Sequence, residues 1–346
     1  SAHDDSGRIA RVVDAENSAE WRAWNKRSLQ AWKALECTTG VGFFHNCGSA
    51  VFAPEQDLRL FEKQLSGTDY ERVRSSHLNL GSRVPCLGLL EPGAGYINPK
   101  DLIAAYCKVI RAHGGSVLPE TVTRIEDDPA DCSVLVYTRS YTRRYEQVII
   151  CAGAFTNMLL QSNISAPLPY KVSRRTVLLG EVSTEQKESL KDMPALKIVF
   201  PAETEAASVR DKVEATSVYI LPPIWYEDYG GYFIKLGGGP NDFLGANILE
   251  ELQTWRTADA HPEQLAFLRS AVDLAFPHVD FISWRTRNCF TTSAGDAPLL
   301  RGSHCGGRVL TVANCQGKAV MASFAIGDDV ATFADEALKR SGTSKL

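Results

Sequence analysis

The sequence has no apolar run long enough to cross a bilayer as a helix, which takes about 20 residues, and its first residues do not read as a signal peptide. None of its nine cysteines stands in a CxxC pair, and Cys37, Cys47, Cys86, Cys107, Cys132, Cys151, Cys289, Cys305 and Cys315 show no zinc-like clustering. An odd count at irregular spacing points to a reducing compartment rather than a disulfide framework. Positive charge is not in excess: 37 Lys and Arg against 41 Asp and Glu leave a formal charge of -4, which gives no general footprint for nucleic acid or an acidic membrane. Repeats and low-complexity tracts are also missing. What is present is an ordinary globular composition, 44% hydrophobic and 23% charged, in 346 residues, enough for two domains.

The most organised stretch is 281–338. It reads as a strand, an irregular loop carrying Cys289 and Asp296, a strand at 308–313, a small turn at 314–317 and a long amphipathic helix. A strand that feeds a helix through a glycine turn points unsatisfied N–H groups at whatever lies above it, favouring an anion or an electron-rich ring edge. A second such turn, Ala152-Gly153-Ala154-Phe155-Thr156, follows a buried strand expected at 145–151. Ligands bind open α/β sheets at strand ends of this kind.

Along the chain, residues 1–11 read as a polar, charge-dense loop with Asp4, Asp5, Arg8 and Arg11. A helix over 18–35 places Trp21, Trp24, Ser28 and Trp32 near one face, a pattern of core packing rather than ligand contact. One or two strands are expected in 41–53, a short helix in 54–67, and loop or edge strand in 78–90. Asn98 caps a helix that Pro99 opens and Gly114-Gly115 ends. Short strands follow at 116–122 and 132–137. From 169 to 281 long strands at 170–183, 218–221 and 231–236, with helices near 184–190 and 262–276, suggest an inserted antiparallel sheet. There Lys235 should lie on the face opposite Ile234 and Leu236, near a glycine run; a solvated lysine at a strand end is the plain alternative. The segment Trp225-Tyr226-Glu227-Asp228-Tyr229 fits a pocket entrance or an exposed loop equally well.

Four blocks, spread from residue 1 to about residue 338, together resemble the FAD-dependent amine oxidases of the monomeric sarcosine oxidase and fungal amadoriase (fructosyl amino acid oxidase) type, within the D-amino acid oxidase superfamily. They are residues 1–11, Val148 to Thr156, Lys235-Leu236-Gly237, and Cys289 to Asp296 with Asn314-Cys315-Gln316-Gly317-Lys318. The resemblance implies a mixed α/β fold, a glutathione-reductase-like FAD-binding domain (1–40, 96–168 and 285–346) and an antiparallel substrate domain (41–95 and 169–284). It places Arg8, Gly153, Ala154, Asp296, Gln316 and Gly317 at the cofactor, with Cys289 forming a thioether to it. Lys235 becomes the oxygen-activating lysine, while Arg11 and Lys318 become binders of a substrate carboxylate. Several departures accompany these matches. Phe155 replaces a tryptophan, Gly238 and Gly239 replace a histidine, and Lys318 follows Gly317 without an intervening aromatic.

The implied reaction is hydride transfer from a secondary amine or N-substituted amino acid to flavin N5, giving an imine and, with oxygen, hydrogen peroxide. A flavin dehydrogenase with another acceptor and a nonenzymatic oxidase-derived subunit stay open. No GxGxxG followed by a ribose-binding acid occurs. The family's first βαβ unit is therefore expected before residue 1 or on a second chain, unless FAD has been abandoned. Ser344-Lys345-Leu346 matches the peroxisomal address, which implies an import receptor and a peroxisomal location.

Overall fold

The computed structural model describes residues 5–160, 164–201, 216–245, 248–255 and 257–340, so the tripeptide Ser344-Lys345-Leu346 lies outside the described residues. The chain forms two compact units, one of Ser1–Lys108, Arg174–Cys289 and Val320–Ala322, the other of Val109–Ser173, Phe290–Ala319 and Ser323–Leu346. Among the described residues no helix is long and apolar enough to cross a membrane, and no group of three or more His, Cys, Asp or Glu is placed to hold a metal.

The first unit is built on a nine-stranded sheet. Its order is Asp242–Phe243, Lys171–Val182, Gly231–Gly238, Ser217–Tyr226, Ala195–Val199, Ser49–Phe52, Leu87–Glu91 and Glu71–Arg74, with Trp284–Ser293 pairing Lys171–Val182 off that path. Pairing is antiparallel across most of it, and Leu196 beside Ala50 marks a parallel junction. Alternation sorts the side chains. Leu178, Ile198, Ile234 and Leu236 pack with Leu268, Ala271, Val272 and Ala275 of the helix Pro262–Ala275. Leu179, Leu221 and Phe233 face the other way, toward Ile9 and Tyr96. Each such aliphatic or aromatic burial stabilises the fold by about 1.5–3 kcal/mol. Burial on both faces runs the length of Ala195–Val199, whose four apolar residues flank a buried Lys197 that donates to the Ser217 hydroxyl at 2.6 Å.

Arg8–Ala10 is a short strand, not part of a loop, and joins Gly95–Ile97 and Phe44–His45 in a small antiparallel sheet. Polar composition hid it, because its pairing partner lies far along the chain. Before it can be reached by helix Ala19–Thr39, the chain turns through Ser18, whose hydroxyl accepts from Trp21 N at 3.3 Å. That helix ends at Gly40, φ 64°, and buries Trp21, Trp24 and Trp32 as core. Asn98 Oδ1 accepts from Lys100 N at 3.0 Å as the helix Pro99–Ala112 begins.

In the second unit Val148–Ile150 runs parallel to Val309–Ala313, which pairs antiparallel with Leu300–His304. Val122–Asp128, Ser133–Thr138 and Thr142–Tyr145 form a separate meander. Arg308 closes on Asp127 with two hydrogen bonds of 2.8 and 2.7 Å, and Leu310 packs on Phe333, Ala334 and Ala337 of the helix Ala319–Arg340.

Several expectations are corrected. The strand expected at 116–122 lies at Val122–Asp128, since Pro119 has no N–H to give a ladder. Leu87–Glu91 is an inner strand of the large sheet rather than an edge. The strand expected at 145–151 is only Val148–Ile150, with Ile149 39% exposed. Cys289 lies within the strand Trp284–Ser293, not on an irregular loop.

A Cβ added to Gly95 would sit 2.0 Å from the His45 carbonyl oxygen, so Gly95→Ala must part the small sheet that carries Arg8. The expected loss is roughly 1–3 kcal/mol, the overpacking range, read as a lower urea midpoint; an unchanged midpoint would refute this register.

Candidate functional site

Lys235 stands in the middle of the strand Gly231–Gly238, paired to Leu179 on one side and Leu221 on the other, and is fully buried. It is therefore not a solvated strand-end lysine. Its ammonium forms an ion pair with Asp5 and donates to the Gly7 carbonyl at 2.7 Å. Asp5, 4% exposed, also accepts from the Tyr226 hydroxyl at 2.9 Å and the Ser6 N–H at 2.8 Å, and pairs with Arg8. Arg8 Nη1 donates to the same Gly7 carbonyl at 3.1 Å. A lysine ammonium has three N–H bonds; the third finds no acceptor among the described residues. The Tyr219 ring lies 5.6 Å from the nitrogen.

Two glycines lie close against this packing. A Cβ on Gly7 would lie 2.6 Å from Ile224 Cδ1 and 2.7 Å from Leu221 Cδ1, so the ends of those two side chains would have to shift to admit one. One on Gly237 would lie 2.3 Å from the Tyr219 hydroxyl oxygen. The aromatic segment divides: Tyr226 is buried against Asp5, whereas Trp225 is 48% exposed. Arg287 lies 5.5 Å over the Tyr226 ring and 5.0 Å over Tyr229, and its Nη2 pairs with Asp228 at 2.5 Å.

The charges shape one another. Burial and then the Arg8 cation push the Lys235 ammonium down to about 8, with Asp5 opposing. Burial works against the Asp5 carboxylate, but Lys235 and Arg8 outweigh it and hold the group well below the usual carboxylate range. Burial and the Asp5 charge push the Tyr226 phenol far up, so it remains a donor.

Cys289 is half-buried on its strand, among the electrostatic neighbours of Arg8, Lys235 and Tyr219. The strand is fixed beside it. Trp255 Nε1 donates to the Cys289 carbonyl at 3.1 Å, and Asn288 binds the Trp255 and Ala258 carbonyls at 3.0 and 2.8 Å. Arg11 has different company. It is buried 93% of the way, at 7% exposure, and burial lowers its pKa against the pull of Glu91, Glu16 and Asp14. Its Nε and Nη1 have no hydrogen-bond partner among the described residues.

In the second unit the first turn places Gly153 at φ 58° with Ala154 half-buried, and the Tyr170 hydroxyl is 3.4 Å from each of their carbonyls. Asp296 is exposed at a tight loop beside Gly295, φ 59°. The later turn holds Asn314, Gln316 and Gly317 at φ 65°, 52° and 74°. Asn314 Nδ2 and Gln316 Nε2 both donate to the Ala297 carbonyl, at 2.6 and 2.8 Å, pinning the turn to that loop. Lys318 is half-buried, its N–H on the Cys315 carbonyl at 2.7 Å, and the helix begins at Ala319. Asp5, Tyr226 and Tyr219 were not among the candidates read from the sequence. Asp5 three residues before Arg8 carried a signal, but its partner Lys235 lies 230 residues away.

This is a mixed α/β, Rossmann-like FAD-binding fold with an inserted sheet-rich substrate domain. A family model described as FAD dependent oxidoreductase matches residues 1–332, and the chain belongs to that family. It is 23% identical over 287 residues to the monomeric sarcosine oxidase of Bacillus sp. (strain NS-129), covering 80% of this chain and 67% of that protein. Its fold is similar to NikD, an amino acid oxidase essential for nikkomycin biosynthesis, with TM-score 0.69 and 18% identity over 92% of this chain and 81% of that one. Amadoriase I from Aspergillus fumigatus, a fructosyl amine:oxygen oxidoreductase, gives TM-score 0.65 and 18% identity over 99% and 79%. The residues present fit FAD: in one unit a guanidinium and a half-buried thiol stand near the buried ammonium, and in the other a positive-φ turn opens a 22-residue helix.

Removing Asp5 strands a buried cation. Asp5→Ala should cost roughly 3–5 kcal/mol at pH 7, measured by urea unfolding. The folded Lys235 pKa of about 8 lies below its ordinary 10.5, so the unfolded chain binds more protons between the two. This group's contribution to stability therefore rises with pH across that window. The Asp5→Ala deficit should accordingly shrink by pH 9.5; an equal deficit at both pH values would contradict a buried ammonium.

Proposed function

We propose that this protein is an FAD-dependent oxidase of a secondary amine or N-substituted amino acid. The observation that carries the reading is the buried Lys235 ammonium, held by Asp5 and Gly7 with one N–H uncommitted among the described residues. The names of the similar proteins, oxidases of sarcosine, amino acids and fructosyl amines, point the same way.

With FAD bound, the chemistry it supplies is two-electron oxidation at a carbon next to nitrogen and, with oxygen, release of hydrogen peroxide. Arg8, Gly153, Ala154, Asp296, Gln316 and Gly317 would hold it, and the Cys289 sulfur would tether it covalently. The helix opening at Ala319 adds partial positive charge from its first N–H groups. Lys235 places positive charge where negative charge develops on oxygen. The unpartnered nitrogens of Arg11 suit a substrate carboxylate, which a guanidinium grips with two hydrogen bonds. Lys318 is the second candidate for that anion. Peroxide release also agrees with peroxisomal import through Ser344-Lys345-Leu346.

The first test is intact mass and visible absorption before and after acid precipitation. Flavin absorbance that stays with the polypeptide, lost in Cys289→Ala, supports the tether; flavin freed from the wild-type protein by acid discards it. Lys235→Met should slow flavin reoxidation by about 10²–10³-fold, the scale for losing one charge-stabilising donor, with reduction little changed. In the wild type, reoxidation should decline as pH rises through about 8, because the ammonium gives up its proton there. A flat pH profile, or turnover without hydrogen peroxide, would favour a dehydrogenase with another acceptor.

A further inference from the structure

Lys235 is surrounded by groups whose effects oppose one another. From residues 5–8 come the Asp5 carboxylate and the Arg8 cation; from the strand Ser217–Tyr226 come the Tyr219 ring and the Tyr226 hydroxyl that binds Asp5; from the strand Trp284–Ser293 come Cys289 and, acting on Asp5, Arg287. Arg8 repels the ammonium and the apolar sheet disfavours its charge, as Leu179 and Leu221 on the flanking strands show. Asp5 alone among these contacts offers a full negative charge in direct contact with Lys235. Its other oxygen is fixed by Tyr226 and Ser6.

We propose that Asp5, clamped by Tyr226, is the positioning residue of the oxygen-reacting site: with the Gly7 carbonyl it occupies two N–H bonds of Lys235, keeps the ammonium protonated, and directs the third N–H to the side bounded by Arg8, Cys289 and Tyr219. The inference rests on the assignment of Lys235 made above. It deepens that assignment by separating the residue that bears the charge from the pair that maintains it. A neutral amine at this position offers oxygen no counter-charge, so losing Asp5 removes the function without touching the lysine. Tyr226 serves by holding the carboxylate in one rotamer, since its hydroxyl and the Ser6 N–H take the oxygen that the ammonium does not use.

The test uses the FAD-loaded protein, photoreduced and mixed with oxygenated buffer, so that no amine substrate is needed. Asp5→Asn should move the alkaline limb of the pH profile down by about one unit, which slows reoxidation about threefold at pH 7.5 and about tenfold well above both limbs, the same change in protonation read at two pH values. Asp5→Glu should restore much of both, and Tyr226→Phe should shift the limb in the same direction by less. A second readout needs no flavin chemistry: in urea unfolding, the pH at which stability begins to rise should fall in Asp5→Asn and the rise should vanish in Lys235→Met. If Asp5→Asn does not fold, Tyr226→Phe, which loses a single hydrogen bond, carries the test. A wild-type alkaline limb in Tyr226→Phe and in every folded Asp5 variant overturns the proposal. Wild-type reoxidation in Lys235→Met overturns the assignment of Lys235 itself, a result that the Asp5 variants cannot mimic.

Discussion

The buried ion pair between Asp5 and Lys235 constrains much of the first unit around it. A lysine inside a sheet is tolerated only if a counter-charge reaches it, because the desolvation of an isolated ammonium costs several kcal/mol. That requirement draws residues 5–8 onto the sheet. It also sets Gly7 against the side-chain ends of Ile224 and Leu221, and it calls for a partner that keeps the carboxylate still, which Tyr226 supplies. The small sheet through Arg8–Ala10, Gly95–Ile97 and Phe44–His45 then holds the segment in register. An apolar residue at 235 would need none of this apparatus.

The helix with its tryptophan stripe, the Asn98-capped helix, the long strands of the inserted sheet and the strand, turn and helix that end at Arg340 were legible, because each carries its own period, cap or breaker within a few residues. Lys235 opposite Ile234 and Leu236 was legible for the same reason, since alternation is local. Its burial was not. Nothing near Lys235 in sequence announces that Asp5 will meet it, and Arg8–Ala10 reads as polar loop because its ladder partner is at 95–97. The resemblance of four blocks supplied what periodicity lacked, yet it too passed over Asp5, Tyr226 and Tyr219, whose importance lies in contact with one another.

Arg11 and Arg8 show how two arginines three residues apart come to differ. Arg8 gains Asp5 at once and stays charged in spite of burial. Arg11 lies beyond the end of the same strand among Glu91, Glu16 and Asp14. There the Glu91 carboxylate is already engaged by the Val12 and Val13 N–H groups, at 2.8 and 3.2 Å. The acidic neighbours thus favour the charged form of Arg11 against its burial, while its Nε and Nη1 have no hydrogen-bond partner among the described residues.

The parallel junction between Ala195–Val199 and Ser49–Phe52 has a consequence for how the protein fails. On either side of it, strands are joined mainly by antiparallel pairing, but the seam unites segments far apart in sequence, so no hairpin can form it early. Until it closes, the chain presents two complementary edges. One of them, Ala-Leu-Lys-Ile-Val, is buried along its whole length in the folded protein. Such an edge pairs as readily with another molecule as with its own partner. Partial unfolding at this seam would therefore expose two unpaired edges, the kind of surface from which aggregation starts.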